Sequence, residues 1–484
     1  MSIQDFLPPR WVPHEYQQRG LAWLAVRPAA ILCWLPGLGK TAAMLATLRR
    51  LHDGGFAKRT LVLAPLPVAR TTWLSEPKKW AQFCDFRVQL AHGLLKEQIL
   101  LDRANEIVVL NYEAIPWVAP ILAKHPKLFD VLVCDEITQL KHYNTKRFKA
   151  LKPVLHNFKF RYGLTGTPAA NGHMDLFGQL FVIDLGARLG RYITQFRLKY
   201  FHQTPWDRYT WHISPEKEQQ LLNTVKDVML FVNPEDYFEM PPLIHVERPV
   251  WLPPAVLKDY KTLERLYILR LQAEQVITVA NAAVLTSKLR QCTSGVVYAE
   301  SGEPLVLHTH KLDALAELVE ELAGESLFVA YNFTTELNMI LEKFPDALVL
   351  KGGMSDKATK EVLDAWNAGG RRLLLAQADM AALGLNLQFG GSAVCWYSQT
   401  YNLQTYTQLI ARLWRKGQKK AVRCFHLVAE GTIDQRVAKV LVDKAATQQK
   451  LFDAIVEHAE VTTGSLIQDA VDMSKAVFAA SFEE

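Results

Sequence analysis

The chain has 484 residues; 49% are hydrophobic, 21% are charged, and the formal net charge is +6. That length allows more than one buried core, and the balance excludes disordered, fibrous and collagen-like chains. A positive excess this small is compatible with a nucleic-acid partner without arguing for one, because only a localised basic patch would do so.

The opening segment "MSIQDFLPPRW" has neither a basic leader nor an apolar stretch, and no apolar run in the chain reaches about 18 residues, so no signal peptide or membrane span is expected. From residue 29 onward, short runs rich in Val, Ile and Leu alternate with helical patterns: "AAILCWL", "TLVLAPL", "EIVVLNY", "VLVCDE" and "RYGLTG". Strands apolar on both faces and joined by helices predict a parallel sheet. Residues from about 175 to 310 read instead as long helices, "EKEQQLLNTVKDVMLF" and "LKDYKTLERLYILRLQAEQVITVANAAVLTSKLRQ". Between them, "NPEDYFEMPPLI" and "RPVWLPP" read as connections, because proline stops helices. Alternation returns with "SLFVAY", "ALVLKG", "RLLLAQ", "SAVCWYS" and "VRCFHLV", which predicts a second parallel sheet and hence two α/β lobes. After about residue 432 the pattern is helical again. Cys33, Cys84, Cys134, Cys292, Cys395 and Cys424 form no CxxC pair, and several lie in strand-like runs, which suits reduced core thiols in a cytoplasmic protein. "HTH" at 308–310 lacks acidic or Cys companions at ligand spacing and reads as a solvated loop.

Four stretches carry chemistry. "LPGLGKT" places Gly37, Gly39, Lys40 and Thr41 between a strand and a helix. Small residues there let backbone N–H groups wrap a triphosphate at the positive helix end. Lys40 can then reach the β- and γ-phosphates, and Thr41 can offer its hydroxyl to Mg²⁺. The pattern departs from GxxxxGK[ST] in carrying Trp34 at the first glycine position. "VLVCDEIT" ends a strand with adjacent carboxylates: Asp135 suits the same Mg²⁺ and Glu136 suits polarising a water. A solvated acidic turn is the alternative, weakened by the phosphate loop upstream. "LTGTPAANG" follows another strand and offers the hydroxyls of Thr165 and Thr167 as sensors of the γ-phosphate, or is a plain turn. In "QLIARLWRKGQKK", Arg412 and Arg415 are three apart, on one face of a helix, with no Asp or Glu within a turn. Either they complement the negative helix end, with Gly417 as its C′ residue, or they await an anion.

Taken in order, these motifs resemble those of the SNF-type (SWI/SNF-like) ATPases of helicase superfamily 2. "EYQQRGLAWL" resembles the family's adenine-sensing segment, with Gln17 at the matching position, and "LPGLGKT" resembles motif I. "LVLAPLPVARTTW" and "VVLNYEAI" resemble motifs Ia and Ib, "DEIT" stands for DEAH, and "LTGTPAAN" for motif III. "KLRQCTSG" and "HKLDAL" match the region before motif IV, "ALGLNL" motif V, "QLIARLWRKGQ" motif VI, and "GTIDQRV" the start of the brace helix. The resemblance covers about residues 10–445. It implies an α/β fold of two RecA-like P-loop lobes with parallel sheets, at 1–175 and 311–440, helical insertions at 176–310, and a helical extension at 441–484.

It also implies ATP hydrolysis with Mg²⁺ in the cleft between the lobes, and DNA as partner. Lys40, Asp135, Glu136, Arg412 and Arg415 would be catalytic, the two arginines facing the γ-phosphate from the second lobe. Gln17, Gly37, Gly39, Lys40, Thr41, Gly384 and Gln408 would hold the nucleotide, with Thr41 and Asp135 on the metal. Thr165 and Thr167 would couple the lobes. Arg70, Asn111, Tyr112, Gly353, Ser355 and Asn386 would track one strand's phosphates, which reads no sequence.

The activity so implied is ATP-dependent translocation on double-stranded DNA. A strand-separating DNA or RNA helicase and an ATP-switched nucleic-acid-binding scaffold are the other readings. Thr138 replaces the final His of DEAH, Trp414 the usual His before the second arginine, Phe231 and Val232 a common Arg pair, and Lys360 an arginine. "WYSQTYNLQTYTQ" is more like phage and bacterial members, which places the protein in a prokaryotic or phage-infected cell. Nothing resembles a chromodomain, bromodomain, SANT-like or zinc module. Arg191, Arg197 and Lys199, and likewise Lys146, Arg147, Lys149 and Lys152, are either duplex contacts or solvated cations.

Overall fold

The computed structural model describes residues 8–204, 211–273, 279–298, 303–381 and 386–462. The chain divides into two compact units, Met1–Tyr237 with Lys444–Glu484, and Phe238–Asp443.

Unit 1 is built on strands β1 (Ala29–Trp34), β2 (Thr60–Ala64), β3 (Val88–Leu90), β4 (Ile107–Asn111), β5 (Val131–Asp135) and β6 (Phe160–Thr165). A short antiparallel pair, β7 (Phe201–His202) and β8 (His212–Ile213), precedes β9 (Met229–Val232). Among the described residues, seven of these strands form one sheet in the order β3-β4-β2-β5-β6-β1-β9, and the pairings are parallel. Residues 31–34, 61–64, 107–110 and 131–134 are fully buried. Both faces of these strands are therefore covered, which is why the sequence reads there as unbroken apolar runs. The helix Ile433–Thr462 delivers Leu451 and Phe452 into the same core, and Phe452 stacks on Phe231 at 3.8 Å. Lys444 Nζ donates to Asn171 Oδ1 at 2.9 Å and Lys450 Nζ to Glu218 Oε2 at 2.8 Å. An arginine at position 231 would have no place in that stack.

Unit 2 holds β10 (Leu243–Val250), the antiparallel pair β11 (Val296–Tyr298) and β12 (Pro304–Val306), then β13 (Leu327–Tyr331), β14 (Leu348–Leu350), β15 (Leu373–Gln377), β16 (Ala393–Trp396) and β17 (Val422–Ala429). Among the described residues, six form a parallel sheet in the order β10-β17-β16-β13-β15-β14. An apolar cluster lies on each face. Lys311, fully buried, places Nζ 2.6 Å from Asp434 Oδ2. Asp434 also accepts from Thr293 Oγ1 at 2.9 Å and from the Ala429 N–H at 3.1 Å. The matching pieces "HKLDAL" and "GTIDQRV" thus meet in one buried ion pair.

All ten runs read as strands form strands. Four expectations need correcting. "EKEQQLLNTVKDVMLF" is not helical throughout: the helix Pro215–Val225 gives way to β9, because β-branched and apolar residues here complete the sheet beside β1. "RPV" is not a connection but the end of β10; Pro249 is tolerated because β10 is an edge strand, where a missing N–H leaves no ladder bond unmade. His308 does not lie in a solvated loop: it is buried, with Nε2 2.9 Å from the Cys292 carbonyl. Arg412 and Arg415 do not share a helix face, since the helix Leu403–Ile410 ends before them. The chain turns tightly there, with Arg412 N–H bonded to Leu409 O and Gln418 N–H to Arg415 O, both at 3.0 Å. Trp414 Nε1 donates to Pro241 O at 2.7 Å and Gln418 Nε2 to Gln388 O at 3.0 Å, which holds the turns in place. Gly417, at φ +97°, serves these turns and not a helix end.

No helix among the described residues is long and apolar enough to cross a membrane. The six cysteines are free thiols, five of them buried.

Candidate active site

The loop between β1 and the helix Lys40–Asp53 has Gly37 and Gly39 at φ +89° and +73°, the left-handed region that a side chain would strain. A Cβ on Gly39 would also lie 2.4 Å from Gln17 Nε2. Gln17 is buried against the loop: Nε2 donates to Leu38 O at 3.2 Å, and Oε1 accepts from the His14 N–H at 2.9 Å. Tyr16 OH donates to the same Leu38 carbonyl at 3.0 Å. Trp34, at the first glycine position, turns its side chain into the core, edge-on to Tyr16 at 5.4 Å. The space it fills exists because residue 20 is glycine; a Cβ there would lie 2.5 Å from the Trp34 ring. Only the Trp34 carbonyl faces the loop, where it accepts from Lys40 Nζ at 2.7 Å, with the Leu35 carbonyl at 3.2 Å. The ammonium thus rests on two loop carbonyls, and Thr41 follows half-buried in the first helical turn.

Strand order brings the other motifs beside this loop. β6 lies between β1 and β5, with Thr165 opposite Cys33 and Leu164 opposite Asp135. Gly166 packs on the loop: a Cβ there would be 3.2 Å from Pro36 Cδ and 3.4 Å from the Trp34 carbonyl. Asp135 is buried, and Oδ2 accepts from Trp73 Nε1 at 2.8 Å. Desolvation pushes its carboxyl up to about 6; the Trp73 hydrogen bond and the Lys40 ammonium oppose the rise, while Glu136 adds to it. Glu136 has φ +61°, uncommon without glycine and characteristic of functional turns. Its Oε1 accepts from Thr138 Oγ1 at 2.6 Å and Thr165 Oγ1 at 3.0 Å. Thr138, in place of the DEAH histidine, therefore still links the acid to its own turn. Thr165 Oγ1 in turn accepts from the Thr167 N–H at 3.1 Å. Thr167 Oγ1 is buried with no hydrogen-bond partner among the described residues.

These residues fit a nucleotide with its magnesium ion: two left-handed glycines, a lysine at a helix start, and a desolvated carboxylate one strand from an unspent hydroxyl. Thr41 and Asp135 would hold the ion.

Sequence reasoning missed Trp73. It ends a π-helical turn, Ala69–Trp73, and nothing in its spacing marks it as the donor that steadies Asp135. Trp73→Phe is expected to raise the Mg²⁺ concentration needed for half-maximal ATP turnover, because a buried carboxylate without its donor stays protonated to higher pH. The effect should be larger at mildly acidic than at mildly alkaline pH, read by Mg²⁺ titration of phosphate release.

Tyr112 needs correcting as a nucleic-acid contact. It is buried, and its hydroxyl donates to the carbonyls of Asp135 at 2.9 Å and Glu136 at 3.3 Å, so it props up the acidic turn. Arg70, beyond the end of β2, and Asn111, the last residue of the neighbouring strand β4, are accessible. Arg70 Nη2 is 3.2 Å from His92 Nε2, and Asn111 Nδ2 donates to Glu113 Oε2 at 2.9 Å.

In unit 2, Gly353 is exposed at φ +81° with open space around it. Ser355 caps the helix Asp356–Asn367, its Oγ accepting from the Ala358 N–H at 3.2 Å and keeping its own proton to donate. Gln408 and Arg412 are buried. Asn386 is tied to motif VI, its Oδ1 accepting from Arg415 Nη1. Gly384 lies outside the described residues.

A phosphate loop and a DE turn at the ends of two strands that flank β6 in one parallel sheet define a helicase-type P-loop ATPase. The chain belongs to the SNF2-related family. The model of the SNF2-related domain matches residues 16–233, and that of the helicase conserved C-terminal domain matches residues 310–417. A putative protein p41 from Acyrthosiphon pisum secondary endosymbiont phage 1 is 34% identical over 87% of this chain and 93% of its own length. An uncharacterised ATP-dependent helicase of Mycoplasma pneumoniae is 25% identical over 92% of this chain, but the match spans 42% of that protein. The human DNA repair and recombination protein RAD54B is 24% identical over 93% of this chain and 54% of its own length. The Sulfolobus solfataricus SWI2/SNF2 ATPase core in complex with dsDNA aligns over 97% of this chain and 96% of that chain, with 20% identity and a TM-score of 0.44. The protein is accordingly a nucleic-acid-dependent ATPase built on two parallel sheets.

Proposed function

We propose that the chain is an ATP-dependent translocase that moves along double-stranded DNA without reading its sequence. The observation that supports this most is the chain of hydrogen bonds from Glu136 through Thr165 to Thr167 beside the phosphate loop. It joins the group that would orient water to the segment that would register loss of the γ-phosphate. In this reading Lys40 leaves the loop carbonyls for the β- and γ-phosphates, Gln17 steadies the loop, and Glu136 orients the attacking water. Mg²⁺, held by Thr41 and Asp135, supplies charge neutralisation at the phosphates. Arg412 and Arg415 stabilise the charge that spreads over the phosphoryl oxygens, and Gly384 and Gln408 complete the nucleotide contacts. Arg70, Asn111, Gly353, Ser355 and Asn386 hold phosphates of one strand, which is contact without base readout. The names of relatives such as the DNA repair and recombination protein point to DNA in preference to RNA.

The test measures ATP turnover with duplex, single-stranded, forked and RNA substrates side by side, and displacement of a triplex-forming strand. Duplex stimulation with triplex displacement and an unopened fork is expected. Affinity for duplex should also fall with salt, at about 0.9 log units per phosphate contact per log unit of salt. Fork opening would make the protein a strand-separating helicase. ATP turnover unchanged by duplex would overturn the proposal.

A further inference from the structure

A group of side chains on one face of the unit 2 sheet is used by no step of ATP turnover. His245 comes from β10, and Cys424 and His426 from β17, parallel neighbours on which His245 lies opposite Cys424. Cys424 and His426 are two residues apart on one strand and so emerge on the same face. One donor atom from each of the three residues lies within 4.8 Å of the others. Tyr406, from the helix Leu403–Ile410, stacks on Trp396 at 5.2 Å and brings its hydroxyl 3.2 Å from both His245 Nδ1 and His426 Nε2.

We infer that His245, Cys424 and His426 form a site for a zinc-type transition-metal ion, with the Tyr406 hydroxyl or a water as fourth ligand. The first support is spacing. With metal–nitrogen bonds of about 2.0–2.1 Å and a metal–sulfur bond of about 2.3 Å, a tetrahedral ion sets its ligands about 3.3 Å apart for N···N and about 3.6 Å for N···S. The observed separations are 3.5 Å for His245 Nδ1···His426 Nε2 and 3.4 Å for Cys424 Sγ···His426 Nε2. Two edges of such a tetrahedron are thus close to formed, and the third, His245 to Cys424, spans no more than 4.8 Å.

The second support is orientation. His426 Nδ1 lies 3.2 Å from Gln399 Oε1, a carbonyl oxygen that accepts and cannot donate. With the ring proton on Nδ1, Nε2 presents its lone pair to His245 and Cys424. A partner on the outer nitrogen is the usual way a metal-binding imidazole is aimed. A thiolate with two imidazoles selects zinc- or copper-type ions over Mg²⁺ or Ca²⁺. Binding removes the Cys424 proton to solvent, and exposed His245 gives the ion a way in. The ion would fasten edge strand β10 to β17 and to the helix that runs into Arg412.

The test uses the full chain, stripped with a chelator and titrated with Co²⁺. One equivalent should bind with a thiolate-to-cobalt charge-transfer band, and Zn²⁺ should displace it. Cys424→Ser should lose the band. Gln399→Ala should keep the ligands yet weaken affinity by about 10–100-fold. His245→Ala, at an exposed position that leaves the core intact, should weaken it by at least about tenfold. Folding of each variant is followed by circular dichroism. No stoichiometric Co²⁺ or Zn²⁺ on folded protein overturns the inference. So does a charge-transfer band that survives Cys424→Ser, which would assign the metal to another thiol such as exposed Cys84.

Discussion

Glu136→Gln is expected to bind ATP as the unaltered chain does and to turn it over about 10²–10⁴ times more slowly, the range for loss of a positioned base. The substitution is chosen for what it leaves in place. Thr138 and Thr165 both donate to Glu136 Oε1, and a carboxamide oxygen at that position accepts both equally well. The left-handed backbone at this residue is also untouched. What disappears is the negative charge and with it the power to polarise water. Lys40→Ala gives the contrast: it should lose nucleotide affinity as well, because the ammonium that meets the phosphates is gone. Nucleotide binding by calorimetry and multiple-turnover phosphate release separate the two. Turnover by Glu136→Gln within about threefold of the parent would mean that another group handles the water.

Lys311→Ala is expected to destabilise unit 2 by about 3–5 kcal/mol, the cost of stranding one partner of a buried ion pair. Lys311 and Asp434 have side chains 0% and 2% exposed, so solvent cannot screen the charge left behind. Lys311→Met with Asp434→Leu should recover part of the loss, since two apolar groups need no partner. Recovery should be incomplete, because Thr293 Oγ1 and the Ala429 N–H would then lose their acceptor. Urea unfolding followed by a probe in unit 2 measures both. A loss below about 1 kcal/mol, the value of an exposed pair, would mean that water reaches the site.

Much of the architecture could be read from the chain because it depends on local rules. Strands such as "VLVCDE" are apolar on both faces wherever they sit in a covered parallel sheet, and the phosphate loop is written in consecutive residues. β9 and β10 escaped notice because each earns strand geometry only from a neighbour distant in sequence, β1 for one and β17 for the other. The turns that carry Arg412 and Arg415 were read as helix for a similar reason. Trp414 and Gln418 stop the helix by reaching Pro241 and Gln388, and spacing within the segment cannot reveal such partners. In the candidate site, Lys40, Asp135, Glu136 and Thr165 were legible from order and chemistry. Tyr112, expected to track phosphates, turns its hydroxyl onto the acidic turn, and Trp73 was overlooked, because the direction of an aromatic side chain is decided by tertiary packing.

The core of unit 1 draws on both ends of the polypeptide: Phe231 is covered by Phe452, and some two hundred residues of unit 2 lie between them. At synthesis speeds of about 5–20 residues per second, roughly 10–40 s separate the emergence of the two rings from the ribosome. Through that interval the nascent first half displays a bare aromatic surface, and Lys450 has yet to reach Glu218. Completion of the nucleotide-binding half is thereby postponed until the rest of the polypeptide has been made, so that a prematurely terminated product would carry a phosphate loop on an unfinished body.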